Sequence, residues 1–378
     1  MDFAFSEEQQ ALFDLALRVI GDHATHERQK AVAASPDGID RELWSALAQA
    51  ELLGVAIPEA HGGSGAGLVG LCLLLEAVGR HCAPVPAWPT LALGALPLAE
   101  FGTPEQQRRW LPPVARGEAI LTAALIDPES EDPLAPTVTA KRDGARWQLD
   151  GTKMCVPAAH LAACVLVPAR TGDGAVGVFL VEPGSAGVER ERQDTTQGEP
   201  QFVLRFTGAT VGDDAVLGHP REGREIVDWL VQRALAGLCA MEVGVTERAL
   251  RMTAEYVSTR EQFGKPIGKF QAVAQRAADA YIDAAAVRWT AWQAIWRLAQ
   301  GLPARDALAV AKFWVGEGGH RIVTAAEHLH GGIGIDLDYP LQRSYVWSKQ
   351  IELTLGSATR HLLDLGAAMA DAPAVEDV

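Results

Sequence analysis

The chain is poor in cysteine, and the few it has are badly placed for chemistry. Cys72, Cys82, Cys155, Cys164 and Cys239 are scattered over 378 residues with no C-x-x-C pair. That excludes a disulfide framework and a cysteine-based metal cluster. The opening MDFAFSEEQQALF lacks the basic region of a secretion signal. No apolar run approaches the ~20 residues of a membrane-spanning helix. Positive charge is also short, with 33 Lys and Arg against 48 Asp and Glu, a net charge of −15. An acidic surface argues against nucleic acid or an anionic membrane as partner. The expectation is a cytoplasmic protein with no membrane or nucleic-acid contact.

Apolar residues make up 48% and charged residues 21%, an ordinary globular balance. The length calls for two or three domains. Residues 1–118 read as helical. Ser6 and Gln9 have capping-box spacing ahead of Leu12, Phe13, Ala16, Val19 and Ile20 on one helical face. Leu43, Trp44, Leu47, Ala50 and Leu53 repeat the pattern. Leu68 to Val78 is apolar nearly all round, as in a buried helix. Thr103-Pro104-Glu105 gives an N-cap followed by proline at the first helical position.

Residues 119–220 change texture. TVTAKRDGARWQLDG, VGVFLVEPG and QFVLRFTGATV are short β-rich runs separated by turn residues. They predict a small antiparallel β domain. The helical period returns over 221–370, with long helices before Phe263, over Ala272–Leu298 and over Asp306–Leu329, and a last one after Tyr339. Long helices in this order predict a four-helix bundle. The fold class is therefore α+β, and the acidic tail 371–378 is expected to be disordered.

Gly65 to Gly70 spells G-x-G-x-x-G, but no strand leads directly into it, so it reads as a glycine loop before the buried helix. Trp289, Trp292 and Trp296 form a helical stripe suited to core or interface packing. His320, His328 and His330 lack metal-ligand spacing.

Several stretches, singly weak, carry a specific resemblance in their order. They are MDFAFSEEQQ, LGVAIPEAHGGSGAG, FGTPEQQRRWLPPVARGE, LDGTK, TREQFGKPIGKFQAV and LHGGIGIDLDYPLQR. Together they resemble the acyl-CoA dehydrogenase family along nearly the whole chain. The resemblance implies an N-terminal helical domain, a middle β domain and a C-terminal four-helix bundle. It also implies tetramers with FAD at a dimer interface, oxidation of the Cα–Cβ bond of an acyl-CoA, and electron-transfer flavoprotein or a similar acceptor. An α-C–H is too weak an acid for a carboxylate alone, so the thioester carbonyl must be hydrogen-bonded while a desolvated Glu takes the proton.

The resemblance assigns FAD contacts made across the dimer to Arg260, Gln262, Phe263, Gln271, His328, Gly331 and Gly332. A guanidinium at Arg260 suits a pyrophosphate, and glycines at 331 and 332 let backbone approach it. His328 stands where the family has Gln. Pairing of Arg260 with Glu255 or Glu261 on a solvated face is the plain alternative. The contacts to a flavin ring in the chain's own cleft depart from the family. LIDPESEDPLAP, residues 125–136, replaces a glycine-rich loop, and CVPAAH, residues 155–160, replaces Trp-Ile-Thr.

The base departs too. The two positions where the family places its Glu correspond here to Leu355 and Ala234, and neither accepts a proton. Glu352 and Glu242 are the candidates for a relocated base. Three readings follow. The chain is a base-lacking subunit of an α2β2 acyl-CoA dehydrogenase, as known from actinobacterial steroid side-chain degradation, with a homologous partner supplying the Glu. Alternatively it is a self-sufficient homotetramer with a relocated base, or a non-catalytic scaffold of the same fold.

Overall fold

The structure, a computed structural model, describes residues 4–130, 132–172 and 174–371. The expected disordered tail lies outside them except for Asp371. The chain divides into two compact units. One comprises Ala4–Val78 and Ala83–Gly237, the other Gly79–Cys82 and the chain from Leu238.

The first unit begins with α1 (Glu7–His23), α2 (His26–Ala33) and α3 (Arg41–Gln49). The Ser6–Gln9 capping box forms, with the Gln9 amide donating to Ser6 Oγ at 3.2 Å. α3 buries Leu43, Trp44 and Leu47. α4 (Gly67–His81) follows the glycine loop, and no strand leads into it. Next comes an eight-residue π-helix, Trp88–Ala95, which the sequence pattern did not announce. α5 (Leu96–Phe101) and α6 (Pro104–Ala115) follow, the latter with the Thr103 capping box and proline at its first turn.

The strands are β1 (Ile120–Ala123), β2 (Thr139–Asp143), β3 (Arg146–Pro157), β4 (Ala162–Thr171), β5 (Val176–Val181), β6 (Val188–Gln193), β7 (Gln201–Gly212) and β8 (Val216–Leu217). They form one sheet in the order β6-β7-β3-β2-β4-β5-β8, with β1 added on β4. The sheet is mixed, which corrects the antiparallel expectation. β1 and β2 both pair with β4 in parallel. Residues 124–161 supply the long crossover that a parallel neighbour requires. The core of the sheet is apolar, with Val138, Leu149, Val165, Phe179, Leu204 and Phe206 buried.

α7 (Gly223–Thr259) is a 37-residue helix. A two-residue pair, β9 (Glu261–Gln262) with β10 (Lys265–Pro266), leads into α8 (Gln271–Ala299). α9 (Arg305–His330), α10 (Leu341–Leu353) and α11 (Ala358–Asp371) complete the second unit. The single helix expected after Tyr339 is thus two, broken at Thr354–Ser357. Trp292 is buried, whereas Trp289 is 55% exposed. Among the described residues no helix is long and apolar enough to cross a membrane. None of their His, Cys, Asp and Glu side chains group as a metal site.

Candidate functional site

Arg260 follows the last turn of α7. Its amide donates to Tyr256 O at 2.8 Å and its carbonyl accepts from the Ile267 amide at 2.8 Å. These bonds close the β9–β10 hairpin, in which Gln262 faces Lys265. Phe263 and Gly264 form its tip with φ of 54° and 76°. A two-residue hairpin turn needs such positive values. Glycine adopts them freely, whereas Phe263 carries a left-handed penalty of ~1–2 kcal/mol. Its ring is nonetheless 92% exposed. Strain and exposure of one aromatic side chain together mark a residue shaped for an external contact. Arg260 and Gln271 are exposed as well. Among the described residues Arg260 makes no ion pair, so the pairing with Glu255 or Glu261 is not formed.

His328 is exposed near the end of α9. His330, two residues on, is buried and stacks on Tyr256 with ring centroids 4.3 Å apart. Its Nδ1 lies 2.8 Å from Ala326 O, and burial holds the imidazole below its ordinary pKa. The stack ties the end of α9 to the end of α7, one turn before Arg260. The sequence shows His330 without metal-ligand spacing and inside the His328–Gly332 turn, and nothing in its pattern announces this stacking role. Gly331 has φ +69°, and an added Cβ at Gly331 or Gly332 would meet nothing within 4 Å. The backbone here is open to an outside group.

Leu355 lies in the break between α10 and α11, half-buried, with φ 58°. Its turn is braced from within the unit. Lys312 of α9, fully buried, donates from Nζ to Ile351 O at 2.9 Å, Glu352 O at 2.8 Å and Gly356 O at 3.0 Å. His361 Nε2 sits 3.0 Å from Leu355 O. Burial lowers the Lys312 ammonium to about 8. The bracing grips carbonyls rather than the side chain at 355.

The two relocated-base candidates have other occupations. The Glu352 carboxylate pairs with Lys349 Nζ at 2.6 Å. Glu242 is wholly buried, and Ser348 Oγ donates to its Oε1 at 2.7 Å. A Cβ at Gly319 would collide with that oxygen, so glycine makes its room. Burial pushes Glu242 to about 8. Ala234 is buried, and its carbonyl accepts from Trp88 Nε1 at 3.0 Å.

Glu242 carries a pH prediction. Its ordinary value is 4.5 and its folded value about 8. Between them the folded chain keeps a proton that the unfolded chain has lost. That stability is complete below the lower value and drains away as pH rises through the upper one, at ~1.4 kcal/mol per unit. Lys312, lowered from 10.5, acts above this window. Glu242→Gln is expected to flatten the pH dependence of the urea midpoint between these values.

The segments 125–136 and 155–160 belong to the first unit. Asp127 anchors the former. It accepts from Lys153 Nζ at 2.6 Å, Thr137 Oγ1 at 2.8 Å and the Thr137 amide at 3.2 Å. Cys155 and Ala158 hold positive φ around an irregular stretch of β3. Pro157, Ala158 and His160 line a pocket of about 30 Å3 together with Gln197, Glu199 and Pro200. His160 stacks on Phe202 at 4.9 Å, and burial pushes the Glu199 carboxyl to about 8. A volume of that size suits about one water.

Comparison with known proteins agrees with this architecture. Residues 6–118 match the model for the acyl-CoA dehydrogenase N-terminal domain, and residues 221–370 that for the C-terminal domain. Acyl-CoA dehydrogenase FadE27 of Mycobacterium tuberculosis is 39% identical, over 99% of this chain and 100% of the relative. A solved variant of the Tcur3481-Tcur3483 steroid ACAD is 45% identical with TM-score 0.90, covering 97% of this chain and 98% of that one. The ChsE4-ChsE5 complex from Mycobacterium tuberculosis is 39% identical with TM-score 0.93, covering 99% and 100%.

Proposed function

The chain belongs to the acyl-CoA dehydrogenase family, oxidoreductases acting on the CH–CH bond of acyl-CoA, and from that premise we propose that it is the base-lacking subunit of a heteromeric, FAD-dependent member. A homologous partner supplies the catalytic Glu, the flavin-ring loop and the acyl cleft. This chain lends Arg260, Gln262, Phe263, Gln271, His328, Gly331 and Gly332 to the FAD held there. The observation that carries the reading is a contrast within the chain. Residues 125–136 and 155–160 depart from the family's flavin-ring contacts, while the residues for the far side of the cofactor stand exposed.

When bound, FAD supplies the two-electron acceptor for desaturation. Arg260 offers a planar fork to the pyrophosphate. Gly331 and Gly332 let backbone amides come close, and His328 keeps one donor and one acceptor. Leu355 cannot take the α-proton, so that step falls to the partner. A relocated base is disfavoured because Glu242 is sealed in the helix core and Glu352 is paired with Lys349. The similar structures are a ChsE4-ChsE5 complex and a Tcur3481-Tcur3483 steroid ACAD. They support an α2β2 assembly and a bulky, steroid-type acyl group here. Electron-transfer flavoprotein or a similar acceptor would reoxidise the flavin. Five free cysteines suit the cytoplasm.

The test is a flavin count. Expressed alone, the chain is expected to be colourless. Co-expressed with a second family member that has the glycine-rich loop and the Glu, it should yield one FAD for each pair of unlike chains. A homo-oligomer with one FAD per chain and dehydrogenase turnover would sink the reading. Gly332→Ala sharpens it. The added methyl meets open space within the chain, so the melting temperature should hold while FAD occupancy of the complex falls.

A further inference from the structure

The second unit contains a cavity of about 440 Å3 that the proposed flavin contacts do not use. Arg80, Glu247, Arg248, Arg251, Ala277 and Tyr281 are among its lining residues. Its charges do not balance. Glu247 is already engaged by Arg80 and by Arg288 Nη1, the latter at 2.7 Å. Among the described residues Arg248 reaches only the Arg80 carbonyl, at 3.5 Å, and its buried Nε has no partner. Arg251 is exposed and makes no ion pair among the described residues. Residues 248 and 251 are three apart on α7 and so share a face. Two unmatched guanidinium groups in a recess are notable in a chain of net charge −15. Their field is felt nearby. Burial, then Arg248, Arg80 and Arg251, hold His81 down at about 4.

The exposed side chains of α8, which lends Ala277 and Tyr281 to the recess, say what kind of partner suits it. Tyr281 is 67% exposed, Ile282 63% and Trp289 55%. Ile282 and Trp289 are seven apart on α8, two turns along one face. Every large apolar side chain that is exposed among the described residues falls between Phe263 and Met369. Exposed apolar side chains of this kind suit coverage by another protein. This surface is also continuous with the proposed flavin contacts. α8 begins at Gln271, and the ten residues to Tyr281 span ~15 Å of helix.

We propose that the α7–α8 arginine recess is a docking site for acidic side chains of the partner subunit, seated beside apolar contacts on Tyr281, Ile282 and Trp289. The inference rests on the heteromeric reading and adds to it the chemistry by which the partner is recognised. Opposed charges across an interface select the partner and speed encounter, and they weaken with salt.

The experiment uses the co-expressed pair and sedimentation at low and high salt. Wild-type assembly should weaken as salt rises. Arg251→Glu should weaken it at least tenfold at low salt, and Arg251→Lys should largely restore it. Tyr281→Ala should weaken assembly without changing the salt response. Because both side chains are exposed, the free chain's melting temperature should be unchanged in each variant. Wild-type-strength assembly of Arg251→Glu would overturn the proposal. So would saturable binding of inorganic phosphate to the free chain that Arg251→Glu abolishes while assembly stays intact. If wild-type chains fail to associate at any salt, the heteromeric reading falls and takes the docking site with it. Association that ignores Arg251 removes the docking site alone.

Discussion

Arg260→Ala, co-purified with the partner chain, will retain the complex and lose its yellow colour. A guanidinium on a phosphate makes charge-assisted hydrogen bonds worth ~1.5–3 kcal/mol, which is about 10- to 150-fold in FAD affinity. Nothing inside the chain competes for this side chain, since it is exposed and makes no ion pair among the described residues. The melting temperature of the FAD-free complex should therefore stay at its wild-type value. Calorimetric titration of FAD into that complex measures the loss directly. Arg260→Lys should recover only part of the affinity, because an ammonium cannot bind two phosphate oxygens in one plane. Unchanged FAD affinity in Arg260→Ala would remove Arg260 from the cofactor contacts.

Lys153→Met will cost the fold more than any other single change considered. Lys153 Nζ and Asp127 Oδ2 are 2.6 Å apart with both side chains at 0% exposure. Burial lowers the Lys153 pKa while Asp127 opposes that shift. Removing the lysine strands a carboxylate in the sheet interior, a change worth ~3–5 kcal/mol. Thr137 and Val138 still donate to Asp127 Oδ1, but Oδ2 loses its cation. Urea unfolding followed by fluorescence of Trp147, buried in the same sheet, should show the midpoint drop. The double variant Asp127→Asn with Lys153→Met should recover much of it, since no buried charge is left unmatched. A small effect in the single variant would mean that water reaches the pair.

Local periodicity made the helices legible. Leu43, Trp44 and Leu47 announce the buried face of α3, and Ser6 and Thr103 announce their caps. Pairing in the sheet was not legible, because alternation marks a strand without naming its neighbour. The parallel β1–β4 pair joins residues about 40 apart, and nothing local encodes it. The π-helix Trp88–Ala95 was hidden because an almost wholly apolar segment shows no face whose period could betray the wider turn. Gly356-Ser357 suits a bend, but the left-handed backbone of Leu355 is braced from α9 and α11. Nothing in the sequence singles out Lys312. Its long stem carries the ammonium inward to three carbonyls. The docking recess gathers residues 80, 247–251 and 281 from three helices, so no motif could reveal it.

The turn at Leu355 bears on how such a chain can evolve. Lys312 and His361 hold its carbonyls, so the side chain at 355 can change while the scaffolding stays. On the heteromeric reading, a lineage can trade acid for leucine at little cost once a partner carries the chemistry. The way back is harder. On that reading, restoring a carboxylate at 355 alone yields no activity while residues 125–136 and 155–160 keep their departures from the family's flavin-ring contacts. Restoring those segments alone yields none either. Neither step is visible to selection without the other, so the dependence acts as a ratchet that binds two genes into one inherited unit.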